Sequence, residues 1–454
     1  MAGGLGGSPA ALKTDMRRRE FLRGMSGAAG GVLLGHTARP PSAAPVPAPQ
    51  SAALEELRRS RAALGPEDER FWRLVRSQFQ LAPEVAYLNT AGLGASPLPV
   101  TDMVKAMTDR EERAPSPGHS EEDWNRIRGK CAALLGAACS PDEVALVSTA
   151  TEGINLILNG LALGPGDEVI TSTHEHVALA IPLLHKMKTA GLQVRTFEPD
   201  LREARGNLDR IEALIGSRTR LIFVSHVTCT TGQVFPVAEI GRLAASRRVF
   251  FALDGAQSLG QFPIDIKDSG ADFYAASCHK WLLGPKRTGL LYVRKDRLAN
   301  LTPSIVGAYS DKANSLLDRR LELRPNAQRF EFGTQNDALV YGVEAATDFV
   351  AAIGLPAVWE HNRRLTEACL DAVRAVPGLE VLSPAEPVAR SAMVTFHFPG
   401  RNNRDVASLL VRRRQRARSV TEAGLDAVRV SFHLYNDANE VERLTAELKN
   451  IARR

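Results

Sequence analysis

Two reactive side chains stand out, because each follows a run of apolar residues that is expected to form a buried strand. Asp254 comes directly after the apolar run 249–253, and Lys280 follows the run 273–276 within Cys278-His279-Lys280. A carboxylate at the end of a buried strand is costly without a partner. A lysine in such a position can lose its solvation and become a nucleophilic amine. The two residues therefore predict a reactive site at strand ends.

A third candidate is the polar stretch 148–153, which follows an apolar run and opens a helical pattern. Backbone amides in the first turn of a helix can bind a phosphate, although Ser and Thr are also common as simple helix caps. Two glycine-rich stretches predict no nucleotide site. Residues 92–97 lack the third glycine of a dinucleotide fingerprint, and residues 284–289 lack the ending of a P-loop.

The elements that must position these residues alternate between strands and helices. Strands are predicted at 143–147, 167–171, 192–197, 220–225, 249–253, 273–276 and 289–293. Helices are predicted between them at 152–163, 177–190, 208–216 and 237–246. Apolar strands separated by helices indicate an α/β fold with a mainly parallel sheet covered on both faces. In such a sheet, ligands bind at the carboxyl ends of the strands.

The pattern changes after about residue 337, where two longer helices are predicted at 337–353 and 355–375. They precede strand-like runs at 379–382, 392–398 and 428–432 and a final helix, which indicates a smaller α+β domain. The predicted organisation has four parts. These are an export signal and linker at 1–53, an N-terminal segment joining the small domain at 54–90, a large cofactor-binding domain at 91–330 and a small domain at 331–454.

Three stretches together resemble the class V aminotransferase family of pyridoxal phosphate (PLP) enzymes of fold type I. They are Asp254-Gly255-Ala256-Gln257, Ser277-Cys278-His279-Lys280 and residues 329–336, and they occur in the family's order on the expected strands. The resemblance runs from Tyr87 to Asn436. It implies a seven-stranded, mainly parallel sheet in the large domain, pyridoxal 5'-phosphate as the cofactor, and an obligate homodimer.

The resemblance also implies roles for individual residues. Lys280 matches the Schiff-base lysine, which then acts as general base at the substrate Cα. Asp254 matches the residue that keeps the pyridine nitrogen protonated, and His176 matches the catalytic residue stacked on the ring. The remaining cofactor-binding residues implied by the family are Gln257 at the phenolic oxygen and Ala150, Thr151, Ser277, His279 and Thr334 at the phosphate. Thr334 matches a residue that reaches the neighbouring subunit's phosphate.

Substrate binding is expected from Asn89, Arg418 and Arg429. A substrate α-carboxylate calls for an arginine fork, and Arg429 fits the family's Arg-x-Ser pattern, whereas the register of Arg418 is open. In cysteine desulfurases of the family, a nucleophilic cysteine lies on a mobile loop before the last strand. Residues 418–429 contain no cysteine, so the sequence predicts an enzyme that is not a cysteine desulfurase.

The stretches 228–232 and 272–277 resemble the isopenicillin N epimerase-like branch of the family. The substrate is expected to be an amino acid or an amino-acid-containing small molecule, and the reaction to be epimerase-like or C–S lyase-like. An aminotransferase and a non-catalytic binding protein with the PLP fold are the alternatives. Epimerisation, C–S bond cleavage and transamination all begin with removal of the Cα proton, and the sequence does not choose among these three reactions.

The N-terminus resembles a twin-arginine export signal. The basic stretch 17–23 precedes a weakly apolar, glycine-rich run at 24–35 and a Pro/Ala-rich stretch at 40–53. This pattern predicts the twin-arginine export machinery as a partner and the periplasm as the location. No apolar stretch approaches the roughly 20 residues that span a bilayer, which argues against an integral membrane protein.

Charge and cysteine usage exclude other classes. The net charge is +6, but residues 1–53 carry six Lys or Arg and only two acidic residues. The basic run 412–418 has no interleaved aromatic residue, so it predicts a solvated helix face rather than a nucleic-acid surface. Five cysteines form no CxxC pair, which argues against a disulfide framework and a structural zinc site, and no metal is predicted.

Overall fold

Seven strands form the main sheet in the computed structural model, which describes residues 52–115, 118–201 and 203–453. They are β1 (Val144–Val147), β2 (Glu168–Ser172), β3 (Gln193–Phe197), β4 (Thr219–Ser225), β5 (Phe250–Asp254), β6 (Phe273–Ser277) and β7 (Gly289–Val293). Their order is β1-β7-β6-β5-β4-β2-β3. Strands β2 to β6 pair in parallel, whereas β7 is antiparallel to both of its neighbours. The predicted mainly parallel α/β sheet is therefore confirmed.

Helices cover this sheet on both faces, and the burial of β4 shows why its sequence is apolar throughout. Leu221 and Phe223 belong to one hydrophobic cluster, while Ile222 and Val224 belong to another. Alternate side chains of a strand point to opposite faces, so both faces of β4 are buried. The helices up to this sheet's last strand are α1 (Ala52–Leu64), α2 (Glu69–Ser77), α3 (Leu98–Arg113), α4 (Glu121–Leu134), α5 (Ala150–Gly160), α6 (Val177–Ala190), α7 (Gly206–Leu214) and α8 (Val237–Arg247).

A second, antiparallel sheet lies in the C-terminal part of the chain. Two longer helices precede it, α9 (Asp337–Ile353) and α10 (Leu355–Arg374), with the bounds expected to within one residue. The remaining elements are β10 (Glu380–Val381), β11 (Met393–His397), α11 (Asn403–Arg412), β12 (Arg418–Val420), β13 (Ala427–Ser431) and α12 (Ala438–Ala452). The sheet order is β10-β11-β13-β12. Ala86 and Leu88 join its hydrophobic cluster, whereas Leu57 and Phe71 belong to that of the large sheet.

Several features depart from the sequence analysis or lie beyond it. The hairpin β8 (Asp311–Ser315) and β9 (Arg320–Leu323) was not expected. The basic run does not form one helix face, because α11 ends at Arg412 and Arg414 adopts a left-handed φ of 59°. The export signal lies outside the described residues, and the four-part domain organisation stays a prediction.

Among the described residues, no single helix is long and apolar enough to cross a bilayer. The pair α9 and α10 meets the length and composition criteria only jointly, and it is bent by 75°. Almost the whole of α9 is buried, as expected for a core helix.

Candidate active site

Asp254 is the last residue of β5, and its carboxylate is buried at the carboxyl edge of the large sheet. Ser225 on β4 and Ala275 on β6 are its register partners. Its Oδ1 accepts a hydrogen bond of 2.8 Å from the Ala256 amide. Burial raises the pKa of Asp254, and this effect outweighs the opposing influence of that amide and of the Lys280 amine. A ligand with a positive charge next to Asp254 would be bound most favourably, because it would stabilise this buried carboxylate.

Lys280 follows β6 in the turn that leads away from the sheet, and its side chain is only 9% exposed. Burial lowers the pKa of this amine, whereas the Asp254 carboxylate raises it. The other groups that act on its pKa are Cys229, Arg429 and Arg418. A desolvated amine close to a carboxylate is the arrangement expected for a lysine that attacks a carbonyl carbon.

The backbone of Lys280 is held from the N-terminal side of the chain. The Gly94 amide donates a hydrogen bond of 2.9 Å to the carbonyl oxygen of His279. A Cβ atom at Gly94 would lie 2.0 Å from the Lys280 carbonyl oxygen, so only glycine allows this close approach. The glycine-rich stretch that the sequence analysis dismissed as a nucleotide site thus packs against the reactive lysine.

Gln257 is fixed on both sides by hydrogen bonds. Its Nε2 donates to the Ala91 carbonyl oxygen at 2.9 Å, and its Oε1 accepts from Trp281 Nε1 at 2.8 Å. Trp281 is fully buried. Because an amide nitrogen carries two hydrogens, one N–H of Gln257 remains for a further acceptor. The sequence analysis did not identify Trp281, although it directly follows Lys280.

The predicted phosphate-binding residues lie around the start of α5. The Ala150 amide donates a hydrogen bond of 3.1 Å to Ser277 Oγ, which connects the helix start to the end of β6. Thr151 is exposed in the first turn. His279 is partly buried, and its Nδ1 has no hydrogen-bond partner among the described residues. Ala150 and Thr151 lie in the first turn of a helix, and Ser277 is hydrogen-bonded to that turn. A helix N-terminus favours an anion.

Thr334 is exposed and lies in a cleft of about 250 Å³ that Ser148 and Thr288 also line. Ser148 belongs to the polar stretch before α5, so the cleft borders the predicted phosphate-binding region. The cleft also contains Trp124, which is buried on α4.

His176 is the N-cap of α6, and its Nδ1 accepts a hydrogen bond of 3.1 Å from the Ala178 amide. Burial lowers its pKa to about 4, and the charges of Lys280 and Arg418 add to this effect. The imidazole is therefore neutral near pH 7 and suited to stacking on a ring. Glu175, directly before it, is a buried residue that the sequence analysis did not assign.

Arg429 lies on β13 and is almost fully buried. It donates from Nη2 to Asn89 Oδ1 at 3.2 Å and from Nη1 to the Cys229 carbonyl oxygen. Its Nε has no hydrogen-bond partner among the described residues. Burial lowers the pKa of Arg429 to about 10. A buried guanidinium with an unpaired N–H is a strong attraction for a carboxylate.

Arg418 is the register partner of Arg429, and the positive charges of Lys280, Arg418 and Arg429 all lower the pKa of His176. The charge of Asp254 raises the pKa of Lys280. The sequence profile of the class-V aminotransferases matches residues 108–444, which is most of the chain. The chain belongs to the class-V aminotransferase family.

Individual relatives give further resolution within this family. A cysteine desulfurase from Serratia proteamaculans is 32% identical over 405 residues, covering 83% of this chain and 97% of the relative. An isopenicillin N epimerase from Amycolatopsis lactamdurans is 32% identical over 401 residues, covering 84% and 99%. The solved apo structure of a cysteine desulfurase from Thermococcus onnurineus matches with a TM-score of 0.74 at 25% identity, covering 84% of this chain and 97% of that chain.

These relatives correct one expectation. The sequence prediction that excluded cysteine desulfurase activity is wrong, because matched relatives and a matched structure are named cysteine desulfurases. That prediction rested on residues 418–429 alone, whereas the similarity extends over more than four fifths of the chain.

PLP is the cofactor of this family member. The residues present fit that group. A buried amine can bind its aldehyde, and a buried carboxylate can pair with its ring nitrogen. The helix start at Ala150 and the unpartnered Nδ1 of His279 fit its phosphate. Lys280, Asp254, Gln257, His176, Ala150, Thr151, Ser277 and His279 would hold it.

Proposed function

We propose that this class-V aminotransferase-family chain cleaves the C–S bond of a cysteine-type amino acid. The observation that carries the proposal is the buried Lys280 amine, which shares one electrostatic environment with the Asp254 carboxylate and the Arg429 guanidinium. A base, a counter-ion for a cationic ring and an anchor for an α-carboxylate are the three protein groups that this chemistry needs. Matched relatives are named cysteine desulfurases, which supports sulfur as the leaving group.

PLP, when bound, withdraws electrons from the substrate Cα and so makes its proton acidic. Lys280 is the residue that removes this proton, since its amine has a lowered pKa and is shielded from water. Asp254 keeps the ring nitrogen protonated. Arg429 and Asn89 hold the α-carboxylate and thereby orient the Cα–H bond toward Lys280. The electron pair left by this proton would form a Cα–Cβ double bond as the Cβ–S bond breaks. The sulfur would leave with the electrons of that bond as a thiolate.

Epimerisation at Cα is a second candidate, which the isopenicillin N epimerase relative favours. It uses the same proton removal but returns a proton to the opposite face of Cα. The two reactions separate at one point, namely whether the β-substituent leaves before reprotonation.

Incubation of the PLP-loaded protein with cysteine and cystine in D₂O tests the proposal. We expect sulfide or persulfide release together with loss of the α-proton signal. Exchange at Cα with inversion and without sulfur release would replace the lyase by an epimerase. Formation of a keto acid with retention of sulfur would indicate an aminotransferase. The absence of exchange for any amino acid would overturn the enzymatic function and favour a binding protein.

We also propose that the protein acts as a homodimer in which Thr334 reaches the neighbouring subunit's phosphate site. Its exposure and its position in a cleft beside Ser148 support this, because a hydroxyl on the surface of one copy is available to another. Sedimentation measurements on the loaded protein should give twice the mass of one chain. A monomer that retains full activity would contradict the proposal.

Residues 17–23 and the apolar run that follows them support a further proposal, export by the twin-arginine route to the periplasm. Replacement of Arg18 and Arg19 by Lys should leave the protein in the cytoplasmic fraction. Unchanged export of this variant would contradict the proposal.

A further inference from the structure

Two arginines lie side by side at one wall of the site. Strands β12 and β13 are antiparallel, and Arg418 is the direct register partner of Arg429. Residues that face each other in this way project from the same side of a sheet, with Cβ atoms roughly 5 Å apart. Like charges in such a pair repel each other, so the arrangement calls for a nearby anion.

Glu422 is that anion. Arg418 Nη2 donates a hydrogen bond to Glu422 Oε1, and the two form an ion pair. The Thr421 amide donates a second hydrogen bond of 3.1 Å to Glu422 Oε2. The carboxylate is directed back toward β12 by a turn in which Ala423 and Gly424 adopt left-handed φ angles of 55° and 71°. Only 13% of the Glu422 side chain is exposed.

This ion pair lies beside the buried Arg429, the register partner of Arg418, and 30% of the Arg418 side chain is exposed. Glu422 and Arg418 both act on the pKa of His176 and on that of Arg429, with opposite signs. Arg418 also acts on the Lys280 amine. Burial acts to raise the pKa of Glu422, but hydrogen bonds from its own backbone and from Arg418 outweigh burial and lower it. Glu422 therefore remains charged next to the two arginines.

We propose that Glu422 is a specificity-determining residue that excludes substrates with an anionic side chain. The inference rests on the proposed function, in which Arg429 binds the α-carboxylate. The charge of Arg418 is then neutralised by Glu422, so a second anionic group on the substrate would compete with Glu422 for Arg418. A neutral side chain, such as one that ends in a thiol, meets no such competition. A sulfinate or a carboxylate does.

A purely structural role makes a different prediction. If Glu422 only offsets the repulsion between Arg418 and Arg429, its loss would weaken folding or cofactor binding. The activity toward all substrates would then decrease by the same factor. If it selects by charge, its loss would change the ratio of two substrates that differ only in charge. Asparagine and aspartate are nearly isosteric and form such a pair.

The test measures exchange of the α-proton in D₂O for asparagine and aspartate with the PLP-loaded protein. A charge-assisted hydrogen bond has an energy that corresponds to roughly tenfold or more in affinity, so the wild type should prefer asparagine by about that factor. In Glu422→Gln, the released Arg418 should reduce or invert the preference by a similar factor. The double variant Glu422→Gln/Arg418→Gln should regain it. Glu360→Gln, on the exposed face of α10, is the matched control and should leave the ratio unchanged.

A binding measurement without turnover accompanies this comparison. Calorimetry gives the dissociation constants of α-methylaspartate and α-methylasparagine, which have no Cα proton to lose. The wild type should bind α-methylasparagine more tightly, and the same variants should change this preference. Equal handling of the two amino acids by the wild type would overturn the proposal, and this result does not depend on any variant folding. An unchanged ratio in a folded, cofactor-loaded Glu422→Gln would also overturn it. Absence of α-proton exchange from cysteine and cystine, with the binding preference between the two analogues intact, would refute the proposed function alone.

Discussion

Glu175 and Ser225 join the ends of two neighbouring strands beside the reactive site. The Ser225 amide donates a hydrogen bond of 3.0 Å to Glu175 Oε2, and the Ser225 hydroxyl donates one of 2.6 Å to the same atom. Ser172 Oγ donates to Oε1 at 2.6 Å. Ser225 is the register partner of Asp254, and Glu175 directly precedes His176. One buried carboxylate therefore fixes the backbone next to His176 and the strand end beside Asp254.

This carboxylate should make stability depend on pH. Burial raises the pKa of Glu175 from 4.5 to about 7, so the folded state favours the protonated form. The stabilisation is complete below about pH 4.5 and is lost as the pH rises through 7, with a total on the order of 3 kcal/mol. Glu175→Gln should lack this dependence. Urea unfolding at pH 5 and pH 7.5 measures it, with the exposed Glu442→Gln as the control. Parallel pH curves for Glu175→Gln and the wild type would contradict the assignment.

Lys280→Ala should abolish both turnover and the absorbance of the lysine-bound cofactor near roughly 420 nm. The reason is that no other amine is expected to bind the cofactor aldehyde. Absorbance spectra after PLP addition, with borohydride trapping and peptide mapping, provide the measurement. Lys105→Ala removes an exposed amine on α3 and should retain the absorbance and the activity. Retention of both by Lys280→Ala would refute the site.

Arg429→Lys should keep the positive charge but lose the planar fork. We expect kcat/KM for α-proton exchange to fall by roughly 30-fold or more, since truncated buried charge pairs cost about 2 kcal/mol or more. The cofactor absorbance should persist, because the predicted partner of Arg429 is the substrate. The comparison variant is Arg443→Lys on α12, whose side chain is about half exposed. Unchanged kinetics in Arg429→Lys would exclude Arg429 as the carboxylate anchor.

Gly94→Ala should displace the Lys280 backbone, because the added Cβ would lie 2.0 Å from its carbonyl oxygen. Overpacking of this kind costs about 1–3 kcal/mol. Both the melting temperature and the affinity for PLP should decrease. Gly164→Ala, where the nearest atom to a new Cβ lies 3.8 Å away, is the matched control. Equal PLP affinity in the two variants would show that Gly94 does not support the lysine.

Much of the fold was predictable because its patterns are local. Helix α6 and strand β7 have the predicted bounds. The spacing of apolar residues and the turn residues at the ends identify such an element from its own sequence. Strand β12 was not predicted. It has only three residues and lies at the end of a basic run, and its pairing with β13 is what makes it a strand. The hairpin β8–β9 is likewise short and exposed, so no buried face marks it in the sequence.

The candidate site also has features that the local sequence shows and features that only tertiary contacts create. The sequence alone determined the α/β class and the residues Asp254 and Lys280 at the strand ends. Polar side chains are disfavoured inside a buried strand, so they first occur where the strand ends. Only the tertiary structure decided the electrostatic state of these groups. The pairing of Glu175 with Ser225 and the placement of Arg418 opposite Arg429 depend on contacts between distant segments. The charge on a buried side chain is set by these neighbours and by exclusion of water, and neither is encoded in local residue order.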